Sequence, residues 1–430
     1  MDDQYHAGFG NFFSSESLPE TLPTRGNTPQ KVARGLIAEQ LNGSAFTMKR
    51  KDNFRTWFYR MGPSVVGSPF RYLAHKYQSG AFLENKPLAP EPLRWSPLAF
   101  AEDQEDFVDS LFPMVKGGSV DSMAGLQVHI YRSTASMERK VFCNADGDLL
   151  IVPQQGKIQI DTEFGPMGLE PGEIAVIQRG MLFRVCHKEP KAYGYVCENF
   201  GEHFELPNLG PIGANGLANP QDFLVPKARF EQIDGPFSFI KKFQGHFWES
   251  ELESSPFNVV AWRGNYTPYK YDLRKFNVIN SVSFDHLDPS IFTVLTSPTT
   301  REGLANIDFV IFPSRWLVAE DTFRPPYFHR NIMSEYMGLI HGAYDAKGEE
   351  GFAPGGSSLH NCMVPHGPDR EAYLKGINEE LKPSYLGKTL AFMFESSKTM
   401  IPAEIALTNA SLQQNYRSCW RDIPVGFSHP

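Results

Sequence analysis

The sequence predicts an all-β protein with minor helices, built as two β-sandwich or jelly-roll barrels. Three observations carry this. Proline and glycine are abundant, at 33 and 36 residues, so turns are frequent. Aromatic residues make up 13% of the chain, 34 of them Phe, which suits short bulky strands. Residues 141–200 read as brief apolar runs punctuated by Gly, Pro and Asp about every ten residues, the pattern of sandwiches and barrels.

Length and composition bound the rest. With 430 residues the chain has room for two large β domains, divided here as 1–275 and 276–430. At 41% hydrophobic and 21% charged it reads as an ordinary globular protein. The net charge of −8, without a basic block, argues against nucleic-acid binding. No run of about 18 apolar residues is present, so no membrane span is expected. The acidic start MDDQYHAGFG lacks the apolar core of a secretory signal. Cys143, Cys186, Cys197, Cys362 and Cys419 are odd in number and form no CxxC pair, which predicts free thiols in a reducing, cytoplasmic setting.

Taken in order, residues 1–35 read as irregular, because prolines 19, 23 and 29 break any helix. The aromatic YHAGFGNFF within them suggests an arm that packs on another part of the protein or on another subunit. Leu36–Leu41, Ala45–Thr47, Thr56–Arg60 and Gln127–Tyr131 read as strands, and Lys86–Trp95, with three prolines, as a loop. Strands follow at Asp148–Pro153, Gly156–Thr162, Glu173–Gln178 and Phe183–Cys186. This stretch resembles the turn pattern of a cupin barrel but holds no histidine where a cupin places its metal ligands, which implies a structural barrel without metal. Residues 201–275 read as loop-rich. Asn277–Ser283, Ser290–Thr296, Asp308–Phe312 and Thr389–Glu395 read as strands, and Glu371–Leu381 as a helix capped by Asp369.

The stretch 321–369 carries the chemistry. It holds four of the twelve histidines: His329, His341, His360 and His366. His329 and Glu335 are six apart, so on an extended strand they would share a face, and His366 is far enough along to return on a neighbouring strand. Two imidazoles and a carboxylate on one face suit non-heme Fe(II), with open positions for substrate and dioxygen. From the residues alone this supports a non-heme Fe(II) oxygenase and no more. A lone loop histidine is more often a surface residue, and His360, six before His366, competes for the role of ligand.

The segments PPYFHRNIMSEYMGLI (325–340), GGSSLHNCMVPHGPD (355–369), SVSFDHLDPSIFTVLT (281–296), YHAGFGNFFSSE (5–16) and AFMFESS (391–397) resemble the homogentisate 1,2-dioxygenases, over about residues 5–420. The resemblance implies an Fe(II) enzyme of cupin type that cleaves the ring of homogentisate with O2, giving maleylacetoacetate in tyrosine and phenylalanine catabolism. It implies ligands His329, Glu335 and His366, a base at His286, substrate contacts at Tyr344 and His366, and a hexamer formed as a dimer of trimers. Arg330, Asn331 and His360 are expected to orient the ligands or substrate. The competing functions are another Fe(II) ring-cleaving enzyme such as one acting on gentisate, a Zn or Mn isomerase, and a non-catalytic metal-binding cupin.

Overall fold

The computed structural model describes residues 4–78, 82, 87–209, 216–280, 288–347 and 351–428. Among them the chain is all-β. It forms four sheets of nine, seven, four and six strands, with α-helices only at Arg370–Asn378 and Glu404–Thr408. No helix among the described residues is long and apolar enough to cross a membrane.

Local sequence explains the central strands. Asp148–Gln155 opens with Leu149, Leu150, Ile151 and Val152, all buried, and lies inside the nine-stranded sheet between Glu173–Ile177 and Ala192–Asn199. Ile158–Thr162 instead alternates buried and half-buried residues, as expected where one sheet face meets the core. The Asp369 carboxylate caps the helix Arg370–Asn378 by accepting from Ala372 N–H at 2.8 Å.

Several segments depart from the sequence expectation. The described residues of 201–275 hold five strands, including the hairpin of Asp234–Phe243 with His246–Ser254. Its two-residue turn, Gln244–Gly245, has φ of 51° and 75°, the left-handed geometry that favours a tight hairpin. That turn is written in the sequence as KFQGHF. The first 35 residues are not wholly irregular: Tyr5–Ala7 pairs with Leu224–Pro226, and Phe13–Glu16 with Val259–Gly264. The aromatic arm therefore packs on its own chain. Ala45–Thr47 lies in a turn, and Ser290–Thr296 begins as a 3-10 turn before the strand Thr293–Pro298. Residues 277–280 form no strand, with Asn277 only bridging Leu217; residues 281–283 lie outside the described residues.

The two halves of the chain exchange strands. The six-stranded sheet runs Thr293–Pro298, Ala305–Leu317, Ser384–Ser396, Ser334–His341, Ser357–His360, and ends on Leu93–Trp95 from the proline-rich segment read as a loop. Conversely, Ile401–Pro402 closes the edge of the nine-stranded sheet. Tyrosines hold the seam: Tyr193 and Tyr195 donate to the carbonyls of Gly355 and Gly356 at 2.9 and 2.8 Å. Asn306 adds an amide bridge, bonding Gly125 on both sides and Asn199 Oδ1.

One buried ion pair ties the first strands to the barrel. His203 presents Nδ1 to Asp148 at 2.6 Å and Nε2 to the Gly43 carbonyl at 2.6 Å. Both partners only accept, so the ring is fully bonded only as imidazolium. Burial opposes that charge, but Asp148 outweighs it and raises the His203 pKa above its usual 6.5. Burial likewise opposes the Asp148 anion, and His203 and Arg179 outweigh it, holding its pKa below 3.8. The histidine contribution is thus complete below pH 6.5 and fades as pH rises through the raised value; the aspartate contribution fades as pH falls through the depressed one. Replacing His203 by Asn is expected to cost roughly 1.5–3 kcal/mol near pH 6. The difference from the unmodified protein should narrow in more alkaline buffer, as followed by urea unfolding; a constant difference from pH 6 to 9 would show that the ring is not charged.

Candidate metal centre

The inner face of the six-stranded sheet carries a polar row. Asp308 pairs with Glu395, Glu395 with Glu335, and Glu335 with His360 in the antiparallel register. Directly opposed residues share a face, so these four side chains project side by side. Their sequence neighbours Phe309, Phe394 and Tyr336 pack in the core.

His329 and His366 reach this row from outside the sheet. They form an isolated antiparallel bridge, each N–H donating to the other's carbonyl at 2.9 and 3.0 Å. Their rings lie 4.2 Å apart. Gly367 permits the approach: a Cβ there would meet the Phe328 ring at 2.5 Å and Phe328 Cα at 2.9 Å. The even spacing of His329 and Glu335 is not what unites them, because the strand begins only at Ser334 and residues 332–333 bend. Asn331 shapes that bend. Its Oδ1 accepts from Met333 N–H at 2.6 Å, and its Nδ2 donates to Glu335 Oε1 at 2.6 Å.

Glu335 receives both histidines, with Oε2 3.0 Å from His366 Nε2 and Oε1 3.5 Å from His329 Nε2. Candidate ligand atoms of the three residues all lie within 4.8 Å of one another. Each histidine turns its other nitrogen to a backbone carbonyl: His329 Nδ1 to Tyr327 O at 2.8 Å, and His366 Nδ1 to Val364 O at 2.9 Å. A ring that donates from Nδ1 and remains neutral keeps a lone pair on Nε2. Two such lone pairs and a carboxylate facing one point are the donor set of a divalent cation. An Nε2 that carries a proton instead donates to Glu335; burial opposes the Glu335 anion, but such hydrogen bonds from His329 and His366 prevail and hold its pKa well below the usual carboxylate range.

His360 stands behind this group. Its ring stacks on that of His366 at 4.2 Å and 7°, and Nε2 lies 2.9 Å from Tyr416 Oη. Burial, then the neighbouring His366, push its pKa well below 6.5, so it is neutral. A cavity of about 340 Å³ opens over the three residues, walled also by Tyr344, Asn331, Arg330, Lys347 and Glu395. Arg330 is exposed, whereas Tyr344 is buried. Arg315 lines the cavity but is neutralised by Asp345 at 2.6 Å. His286 lies outside the described residues.

Five of these contributors carry no expectation from the sequence: Lys347, Arg315 and its partner Asp345, Glu395 and Tyr416. Only Glu395 left a signal, as a lone carboxylate ending the apolar run AFMFE. Burial, and then the proximity of Glu335, push it up to about 8. Asn331→Ala removes both the bend contact and the donor to Glu335. Co(II) titration of that variant is expected to show affinity reduced about 10–100-fold; unchanged affinity would mean the carboxylate is oriented without it.

The family model described as homogentisate 1,2-dioxygenase N-terminal matches residues 4–273, and the C-terminal one matches residues 274–427. Among curated relatives, a homogentisate 1,2-dioxygenase from Pseudomonas fluorescens strain Pf-5 is 54% identical, over 99% of this chain and 96% of its own. Proteins of the same name from Pseudomonas fluorescens strain Pf0-1 and Pseudomonas entomophila are each 53% identical. They are matched over 98% and 99% of this chain and 97% of their own.

Proposed function

The chain belongs to the homogentisate 1,2-dioxygenase family, and on that premise we propose how its residues perform the reaction. It is an aromatic ring-cleaving dioxygenase, an oxidoreductase whose substrates are homogentisate and O2. Both oxygen atoms enter the product, maleylacetoacetate, in the catabolism of tyrosine and phenylalanine. Opening the ring creates a second carboxylate, so one proton leaves in each turnover.

We infer that the metal is Fe(II), held by His329, Glu335 and His366. The observation that carries this is the pair of Nε2 atoms fixed by Nδ1 contacts to carbonyls, both facing Glu335. When bound, iron would supply the one-electron chemistry that lets dioxygen react with an electron-rich ring. The chain holds the reactants together and excludes water, turning an encounter of three partners into a reaction within one pocket. Tyr344, buried at the cavity wall, is assigned to donate to the substrate's carboxylate, and His366 to touch the ring. Asn331 orients Glu335, His360 backs His366, and Arg330, which lines the cavity, is assigned to orient the ligands or substrate.

The base is assigned to His286, two residues along the chain from Asp288, which lines the cavity. An imidazole near its ordinary pKa can take a phenolic proton at neutral pH. We further infer two units, 1–275 and 276–430, a cytoplasmic setting consistent with five free cysteines, and a hexamer arranged as a dimer of trimers. Support for assembly comes from the apolar rim of Tyr327, Phe328, Ile332 and Met363, each more than 40% exposed beside the cavity.

Anaerobic loading with Fe(II), followed by oxygen uptake with homogentisate and with gentisate, tests the reading; uptake with homogentisate and formation of the ring-opened product are expected. Alanine at His329, Glu335 or His366 should remove iron and activity, and loss of iron from His360→Ala but not from His366→Ala would overturn the ligand assignment. His286→Ala should retain iron while turnover falls by about 10²–10⁴, which iron stoichiometry measured beside oxygen uptake will check. Sedimentation should show a particle several times the 48.5 kDa chain mass.

A further inference from the structure

Lys347 is the anomaly of the pocket. It follows Tyr344 in the turn after the strand Ser334–His341, its N–H donating to the Tyr344 carbonyl at 3.1 Å. Its side chain is 9% exposed and lines the same cavity as the three metal-facing residues. Nζ donates to the Gly367 carbonyl at 2.8 Å and stands over the rings of Trp420 and Tyr416 at 4.9 and 5.5 Å. These contacts are neutral, and among the described residues Lys347 forms no ion pair. Its companions differ. Arg315 is matched by Asp345, and Arg330 is exposed to water, which solvates its charge.

A buried ammonium without a contacting carboxylate is costly to fold around unless an anion joins it, and the more distant Asp369 and Glu335 offset that cost only in part. Here burial pulls its pKa down to about 8. The ligand that enters this cavity, on the reading given above, carries one full negative charge, on its acetate arm. Tyr344 lines the same cavity.

We propose that Lys347 is the countercharge for the carboxylate of the arylacetate substrate, and that it selects an anionic ring over a neutral hydroquinone. The inference rests on the assignment of homogentisate to this cavity. The ammonium binds the carboxylate, Tyr344 adds a hydrogen bond, and the hydroquinone ring is thereby set toward His329, Glu335 and His366. A neutral ring of the same shape leaves the ammonium without a contacting anion and gains nothing from it.

The test uses the full-length Fe(II)-loaded enzyme, with homogentisate for turnover and two non-reacting probes for binding: 3-hydroxyphenylacetate and neutral 3-methylphenol. Lys347→Met should raise KM for homogentisate about 100-fold, the scale of a lost buried charge partner, with a much smaller change in kcat. Calorimetry should show 3-hydroxyphenylacetate weakened by a similar factor and 3-methylphenol unchanged or tighter. Lys347→Arg, which restores the charge, should recover part of the loss. If Lys347→Met does not retain iron, Lys347→Gln, which keeps a donor for the Gly367 carbonyl, is read in its place. Equal weakening of both probes, or no change in either, overturns the proposal. Absence of homogentisate turnover in the unmodified enzyme would instead overturn the parent assignment.

Discussion

The two reciprocal hydrogen bonds between the backbones of His329 and His366 are the constraint on which the site depends. Neither residue belongs to a sheet, so nothing else in the ladder fixes their separation. The bridge sets it, and Gly367 lets the bridge close by leaving room for Phe328. With the backbones fixed, the Nδ1 contacts to Tyr327 and Val364 set the ring orientations. Glu335 enters from the stiff strand below, steadied by Asn331. The result is three donors whose relative positions are governed by main-chain bonds rather than by flexible side chains, the condition for a preorganised site.

Burial shapes the electrostatics of the pocket more than any single partner does. It pushes Glu395 up to about 8 and Lys347 down to about 8, two opposite charges both driven toward neutrality. Glu335 escapes this trend because two histidines bond it directly. The cavity therefore places one firmly ionised carboxylate among groups held close to the edge of ionisation. In such surroundings an arriving anion or cation changes local energies far more than it would in water.

How much of this could be read from residues alone depends on how local the cause is. The buried run LLIV, the punctuated strands after it and the Asp369 cap are set by neighbours in sequence, and they were legible. The hairpin at Gln244–Gly245 was missed although its turn is local, because Gln is not among the residues expected there. The strand Leu93–Trp95 was illegible for another reason: its proline-rich flanks read as loop, and only its distant partner Ser357–His360 makes it a strand. The same distinction governs the site. His329, Glu335 and His366 could be nominated by type and density, yet their meeting rests on a bend and a bridge that even spacing does not encode. Lys347 and Tyr416 carried no local signal, since their burial comes from segments far along the chain.

The exchange of strands across the molecule has a consequence for the order in which the chain can mature. Leu93–Trp95 leaves the ribosome long before Ser357–His360, the strand it must join, and the nine-stranded sheet waits for Ile401–Pro402 to complete its edge. During synthesis the first half must therefore hold an unpaired segment, with the apolar side chain of Trp95 uncovered until the second half arrives. Long-range pairings of this kind slow folding and lengthen exposure to chaperones. They also bind the fate of the two halves together: a chain cut between them would release two fragments that each lack a strand only the other can supply.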